Sequence, residues 1–366
     1  MIALRWKSIH VYYYQPDKSG LLLSGVRPVL RDLRPFVDAV SITRHWRLGP
    51  HLRLNFRTDD HTFDKLVWPT AERELSRYLT AEPSTTVLDI DLHSHEHRTL
   101  AELEAEKGPL SPWVPDNTVL RAEFDDRTEA MGSPCGAELL ADFYADTTDL
   151  TFTAYETCPT RPQLMSRAFD LMVATAHLGA ADGIARGFIS FRSHAEGFLA
   201  QNADGAVLRR HWDDNYRQTA ESLRARVADI VDAIDHDLAP DHRLAEWFLT
   251  IGRYRDRIQR ALADGSLPIP PPPPPRPGAE RRLEASDFHR RLFANPEWSR
   301  MQDSADFTIY RLLLNFTYLH LTQLGLVPKD RILLCHMIAN AVEDLFGISA
   351  TELVTHAHTR SPSHGG

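Results

Sequence analysis

From His51 to Arg57 the chain alternates strictly, with Leu52, Leu54 and Phe56 on one face and His51, Arg53, Asn55 and Arg57 on the other. A period of two marks a half-buried β-strand. The preceding run VSITRHWR, joined through Leu48, Gly49 and Pro50, predicts a hairpin with it. IHVYYY near the start is also β-rich, and further strands are predicted over TTVLDIDLHSH and NTVLRAEFD. LLLSGVRPVLRDLRPFV predicts a helix with Pro28 near its start and Pro35 bending or ending it, and DKLVWPTAERELSRYL predicts another. GAELLADFYADTTDLTFTAYE reads as a helix, a turn and a short extended piece.

Beyond about residue 160 the rhythm becomes helical. QLMSRAFDLMVATAHLGAADG predicts a helix ending at Gly183, and Leu223, Val227, Ile230, Val231 and Ile234 fall at helical spacing in the next long segment. RLAEWFLTIGRYRDRIQRALADG follows, and two last helices are predicted over 304–325 and 329–346. Within RGFISFRSHAEGFLA, Phe188 to Arg192 reads as a short strand leading into a loop. The run from Pro268 to Pro277 is an expected polyproline II spacer, and 357–366 an expected disordered tail. The chain therefore reads as α+β: one domain over 1–356, mixed over 1–160 and mainly helical over 161–356.

Composition narrows the class of function. The net charge of −9 over 366 residues argues against nucleic acid as the main partner. The only lysines are Lys7, Lys18, Lys65, Lys107 and Lys329, so positive sites are mostly arginine forks suited to planar anions. Cys135, Cys158 and Cys335 are widely spaced, which fits a reducing cytoplasm better than a disulfide framework or zinc ribbon. The first residues are too short and polar a run for a signal peptide, and no apolar window is long enough to span a membrane.

No phosphate loop, dinucleotide fingerprint, nucleophile elbow or H-E-x-x-H motif occurs. His93, His95 and His97 would share one side of an extended segment, but no partner ligand is marked out and no metal is expected. His194 beside Glu196 offers a general acid and base near neutral pH, or else a surface loop with a helix cap. Ser304, Tyr310, Asn315 and Tyr318 ride on the penultimate helix. There Ser304 is equally an N-cap, and Tyr310 approaches a shared ligand only if Ser304 precedes the helix.

SIHVYYYQP, LLLSGVRPVL, RHWRLGPHLRLNF, RGFISFRSHAEGFL and LLCHMIANAVEDLFG together resemble the C-terminal elimination domain of lantibiotic dehydratases and its freestanding relatives in thiopeptide biosynthesis. The resemblance runs over nearly the whole chain outside the proline run and the tail. It implies the elimination-domain fold and one of two activities. One removes glutamate from glutamylated serine to leave dehydroalanine. The other, pyridine synthesis, joins two dehydroalanines in a formal (4+2) aza-cycloaddition and then expels water and the leader peptide.

The elimination strand typically reads H-(I/L)-R-L-R with both arginines functional; here Arg53 is kept and Asn55 stands at the second position. The R-Y-G-G stretch of the eliminases is matched by Ala130, Met131, Gly132 and Ser133, without its arginine. His336, with Asn340 after it, matches the late eliminase histidine and keeps elimination open. Ser304 and Tyr310 match a Ser and Tyr associated with pyridine synthases. The resemblance thus implies a cyclase acting through Ser304, Tyr310, His194 and Glu196. Substrate or leader contacts are expected at His51, Arg53, Asn55, Arg57, Arg192, Asn315, Tyr318 and His336. It implies no cofactor and a precursor peptide with an acidic leader as partner; a non-catalytic leader-binding scaffold is the remaining alternative.

Overall fold

A computed structural model describes residues 3–104, 106–238, 242–269 and 286–355. Positions 270–277 of the proline run and the tail from 357 lie outside those residues. The chain folds into two compact units, one of Met1–Leu164 with Thr322–Gly325, the other of Met165–Leu321 with Leu326–Gly366.

The first unit is built on a four-stranded sheet ordered β2-β3-β1-β4. Its strands are β1 Arg5–Tyr12, β2 Ala39–His45, β3 His51–Thr58 and β4 Thr118–Ala122, and every pairing is antiparallel. The hairpin between β2 and β3 turns where expected, with Leu48 and Gly49 at positive φ of 61° and 108°. A side chain at 49 would also strike the Tyr14 ring. Leu52, Leu54 and Phe56 join Ile9, Val11, Val40 and Ile42 on a buried face. That face packs on apolar stripes of the helices Arg27–Leu33, Trp68–Ala81 and Pro134–Thr157.

The opposite face is not the solvated one that alternation predicts. His51 and Asn55 are buried there with Ser8, His10 and Ser41. Two predicted strands are also helical. Ile90–Glu104 is a helix, entered where Asp89 accepts a hydrogen bond from the Leu92 N–H at 3.1 Å. The segment through Tyr155 continues the Pro134–Thr157 helix without a break. Its β-branched threonines are accommodated by donating to carbonyls four residues back, Thr147 to Phe143 at 2.7 Å and Thr148 to Tyr144 at 2.8 Å.

Helices build the second unit. Phe188 to Arg192 lies inside the helix Ile184–Gln201, because Phe188, Phe191 and Ala195 recur at helical spacing on a buried face. Arg161–Gly179, Gly205–Asp235, His242–Ala263, Ala305–Gln323 and Pro328–Phe346 surround a core that includes Trp247, Tyr254 and Phe316. Trp247 anchors it by donating its indole N–H to Leu171 O at 3.2 Å and Thr175 Oγ1 at 3.1 Å.

Several imidazoles are enclosed within the two units. Burial holds His10 and His320 at about 3 and His336 at about 4, against an ordinary value of 6.5. Between about pH 6.5 and 4.5 the unfolded chain binds protons that these folded sites refuse, so stability falls on acidification through that window. Melting temperature should drop across it, and His320→Gln should make the drop shallower; an unchanged slope counts against the burial. In the sheet core, Phe56→Ala should cost about 3–5 kcal/mol by urea unfolding.

Candidate functional site

The polar face of the sheet is a closed aromatic and cationic layer. His10 stacks on His51 at 4.6 Å between centroids, Tyr12 lies 4.5 Å from His51, and His45 lies 5.5 Å away. The layer continues through Trp46 and His97 at 4.8 Å to Trp113, stacked on His97 at 4.9 Å. His93 and His97 are one helical turn apart and both near Trp113, while His95 is exposed, so the three do not share a side. Among the described residues no group of three histidines, cysteines or carboxylates is placed to hold a metal.

His51 uses Nδ1 on Gly49 O at 2.8 Å, and burial holds its pKa well below the usual value. Arg53 Nε reaches His51 Nε2 at 3.4 Å, and its Nη1 pairs with Asp125 at 3.1 Å. Arg57 is bound by Asp38 and by Asp142, the latter at 2.9 Å, and stacks over Trp6. Asn55 is 4% exposed and both ends of its amide are taken. It accepts from Ser8 Oγ at 2.8 Å and donates to Ser41 Oγ at 3.3 Å. Ser8, Asn55 and Ser41 face one another directly in the strand register, which makes this a polar rung across three strands.

In the helical unit the predicted partnership of His194 with Glu196 does not form. Positions two apart on a helix point to different faces. Glu196 instead takes a bidentate pair from Arg209, at 2.8 and 2.6 Å, with Arg192 3.9 Å away. Burial pushes the Glu196 pKa up, but the Arg209 bonds and nearby positive charges bring it below the ordinary value. Arg192 donates to Asn340 Oδ1 at 2.6 Å and pairs with Glu343. His336, 1% exposed, puts Nε2 3.0 Å from Asp213 and 2.9 Å from Asn340 Nδ2. Tyr216 donates to Asp344 at 2.6 Å on the same pair of helices.

His194 finds a different partner. Its Nδ1 lies 2.9 Å from the Tyr318 hydroxyl, which in turn lies 3.3 Å from Cys335 Sγ. By surface area the residue is exposed, while packed atoms of the neighbouring helices surround the ring. Burial, with the Arg331 and His289 charges, lowers its pKa to about 4. Burial raises Tyr318 well above 10 and Cys335 to about 12, so all three groups are neutral at pH 7. Arg331 donates to Tyr318 O at 3.1 Å and sits over its ring.

Ser304 precedes the helix Ala305–Gln323, its Oγ accepting from Phe307 N–H at 3.1 Å and donating to Met301 O at 2.8 Å. Tyr310 is 4% exposed and donates to Gly187 O at 2.7 Å. Burial raises its pKa against a hydrogen bond with Ser190. Gly187 permits the close approach of neighbouring backbone: a Cβ there would lie 2.9 Å from Ala176 O. Asn315 is exposed. Sequence reasoning missed Cys335, Arg209 and Asp213 as members of these networks. The helical step from Tyr318 to neighbouring elements leaves no pattern in the chain that would have revealed them.

No helix among the described residues is long and apolar enough to cross a membrane. Among curated proteins none matches the chain. Two solved structures match over nearly their whole lengths. "Pyridine synthase, TbtD, from thiomuracin biosynthesis" is 33% identical with a TM-score of 0.76, the match covering 94% of this chain and 100% of that one. TsrL, at 21% identity and a TM-score of 0.71, is covered over 98% of this chain and 100% of its own, and shows the fold alone. The family model described as "Lantibiotic biosynthesis dehydratase C-term" matches residues 6–342. The chain belongs to the lantibiotic dehydratase C-terminal family, and it shares that family's fold with a pyridine synthase of thiopeptide biosynthesis.

Proposed function

We propose that this protein is a thiopeptide pyridine synthase that macrocyclises a modified ribosomal peptide. It joins two dehydroalanines by a formal (4+2) aza-cycloaddition, then eliminates water and releases the leader as a carboxamide. The observation that carries this reading is the state of Asn55. Where the elimination strand has a second functional arginine, this chain has a buried amide locked between Ser8 and Ser41. Such a rung offers no guanidinium to a departing glutamate. Likeness to TbtD over the whole of that chain supports the same reading.

The chemistry asks more for shape than for strong acids or bases. One amide tautomerises to its imidic acid to give a 2-azadiene, and the second dehydroalanine lies over it. Pre-organising the two ends supplies about 7–11 kcal/mol of barrier reduction, and positioned proton transfers add about 10²–10⁴-fold. Ser304 and Tyr310 hydrogen-bond the tautomerising amide or the hydroxyl lost as water. With its proton committed to Gly187, Tyr310 serves as an acceptor. His194 moves the proton between amide and imidic acid and assists dehydration, and Tyr318 rather than Glu196 orients its ring. Glu196, Arg192 and His336 hold the helices that carry it.

An acidic leader is the proposed partner. Arg53 and Arg57 already face Asp125, Asp38 and Asp142, so leader carboxylates would bind them by exchanging those partners.

Mass spectrometry of a dehydrated precursor mixed with this protein alone tests the function. Loss of water and of the whole leader is expected. Glutamate loss from a glutamylated peptide would mark an eliminase instead, and an unchanged mass a leader-binding scaffold. His194→Gln should slow pyridine formation by about 10²-fold or more. If Ser304→Ala and Tyr310→Phe both cyclise at the wild-type rate, the roles given to them are wrong.

A further inference from the structure

The helix Ala305–Gln323 carries a polar stripe past the apolar run Leu312–Leu314. Ser304 at its cap is followed by Thr308, Arg311, Asn315 and Tyr318, at steps of three and four residues that align them on one face. Two members of the stripe have unmet hydrogen-bonding capacity. Thr308 is 0% exposed and its hydroxyl has no partner among the described residues, whereas Thr147, Thr151 and Thr317 each donate to the carbonyl four residues back. Arg311 is partly buried, and its Nη2 is sealed from solvent without an acceptor.

Three arginines of this unit are matched: Arg192 by Asn340 and Glu343, Arg209 by Glu196, Arg226 by Asp170. Arg311 has no ion pair among the described residues, and burial alone lowers its pKa. A guanidinium nitrogen enclosed without an acceptor weakens a fold. A position that keeps one in spite of that cost is a position where a ligand supplies what is lacking.

We infer that Arg311, flanked by Thr308 and Asn315, is a docking point for carbonyl or carboxylate oxygens of the peptide substrate. A guanidinium fork accepts either the two oxygens of a carboxylate or a carbonyl on one arm, and the Thr308 hydroxyl adds a second donor beside it. The stripe then runs from Ser304 through this anchor to Tyr318 and its partner His194, so a peptide held by Arg311 lies along the residues assigned to the chemistry. This inference rests on the peptide-substrate reading above.

Binding and melting together test it. Fluorescence anisotropy would be measured with two labelled probes, the synthetic leader alone and a leaderless core peptide containing two dehydroalanines. Arg311→Gln should weaken one of them by about tenfold to a hundredfold, with Arg311→Lys in between. A loss confined to the leader identifies a carboxylate source, and a loss confined to the core identifies a carbonyl. Without peptide, Arg311→Gln should melt no lower than wild type, because it removes a charge the fold leaves unmatched. Unchanged affinity for both probes overturns the inference, as does a lower melting temperature, which would make Arg311 a structural residue. If wild type itself binds neither probe, the substrate reading fails first and this ligand assignment falls with it.

Discussion

A guanidinium is tolerated inside this protein where acceptors are buried with it, and much of the architecture follows from that constraint. With only five lysines in the sequence, most interior cations are planar forks that need carboxylates or amides in fixed geometry. Arg192 draws Asn340 and Glu343 of one helix onto another, Arg209 does the same with Glu196, and Arg226 engages Asp170. Each pair fixes the rotation of two helices about their axes as well as their separation. Removing Arg209 or Arg226 would leave Glu196 or Asp170 charged and enclosed without its partner, which is destabilising. Two of these pairs anchor the helix Ile184–Gln201, which carries His194, to its neighbours.

The sheet answers the same constraint in part with neutral groups. Beside the paired Arg53 and Arg57, its second face holds His10 and His51, which burial keeps unprotonated, and the rung of Ser8, Asn55 and Ser41. An arginine at position 55 would have to find acceptors between two serines. The asparagine fits because one amide both accepts and donates. What reads in the sequence as the loss of a functional cation is, in the fold, a link that makes three strands agree in register.

Much of this was legible in the chain. The β2–β3 hairpin and the helices of the second half follow from periodicity, and the family follows from a handful of segments. Where the reading failed, a local signal was outvoted. Threonines in 147–157 carry strand propensity, but their hydroxyls find helical carbonyls. Phe188 and Phe191 read as strand until their spacing is counted against a buried face. Glu196 was paired with His194 on proximity in sequence, whereas helical geometry sends the two apart. The partners that matter, Tyr318 for His194 and Asp213 for His336, lie more than a hundred residues away along the chain, beyond the reach of any spacing rule.

The carbonyl that holds Tyr310 belongs to Gly187, a residue with no side chain where the neighbouring backbone passes. The phenol is therefore aligned by an absence. Even a methyl at 187 would press against Ala176 O and the methyl groups of Ala176 and Ala180, and relief would come by sliding one helix along the other. A displacement of that kind, far smaller than a helical turn, moves the anchor of the phenol without altering the tyrosine itself. The alignment of that phenol is thus open to a position that sequence comparison would class as filler.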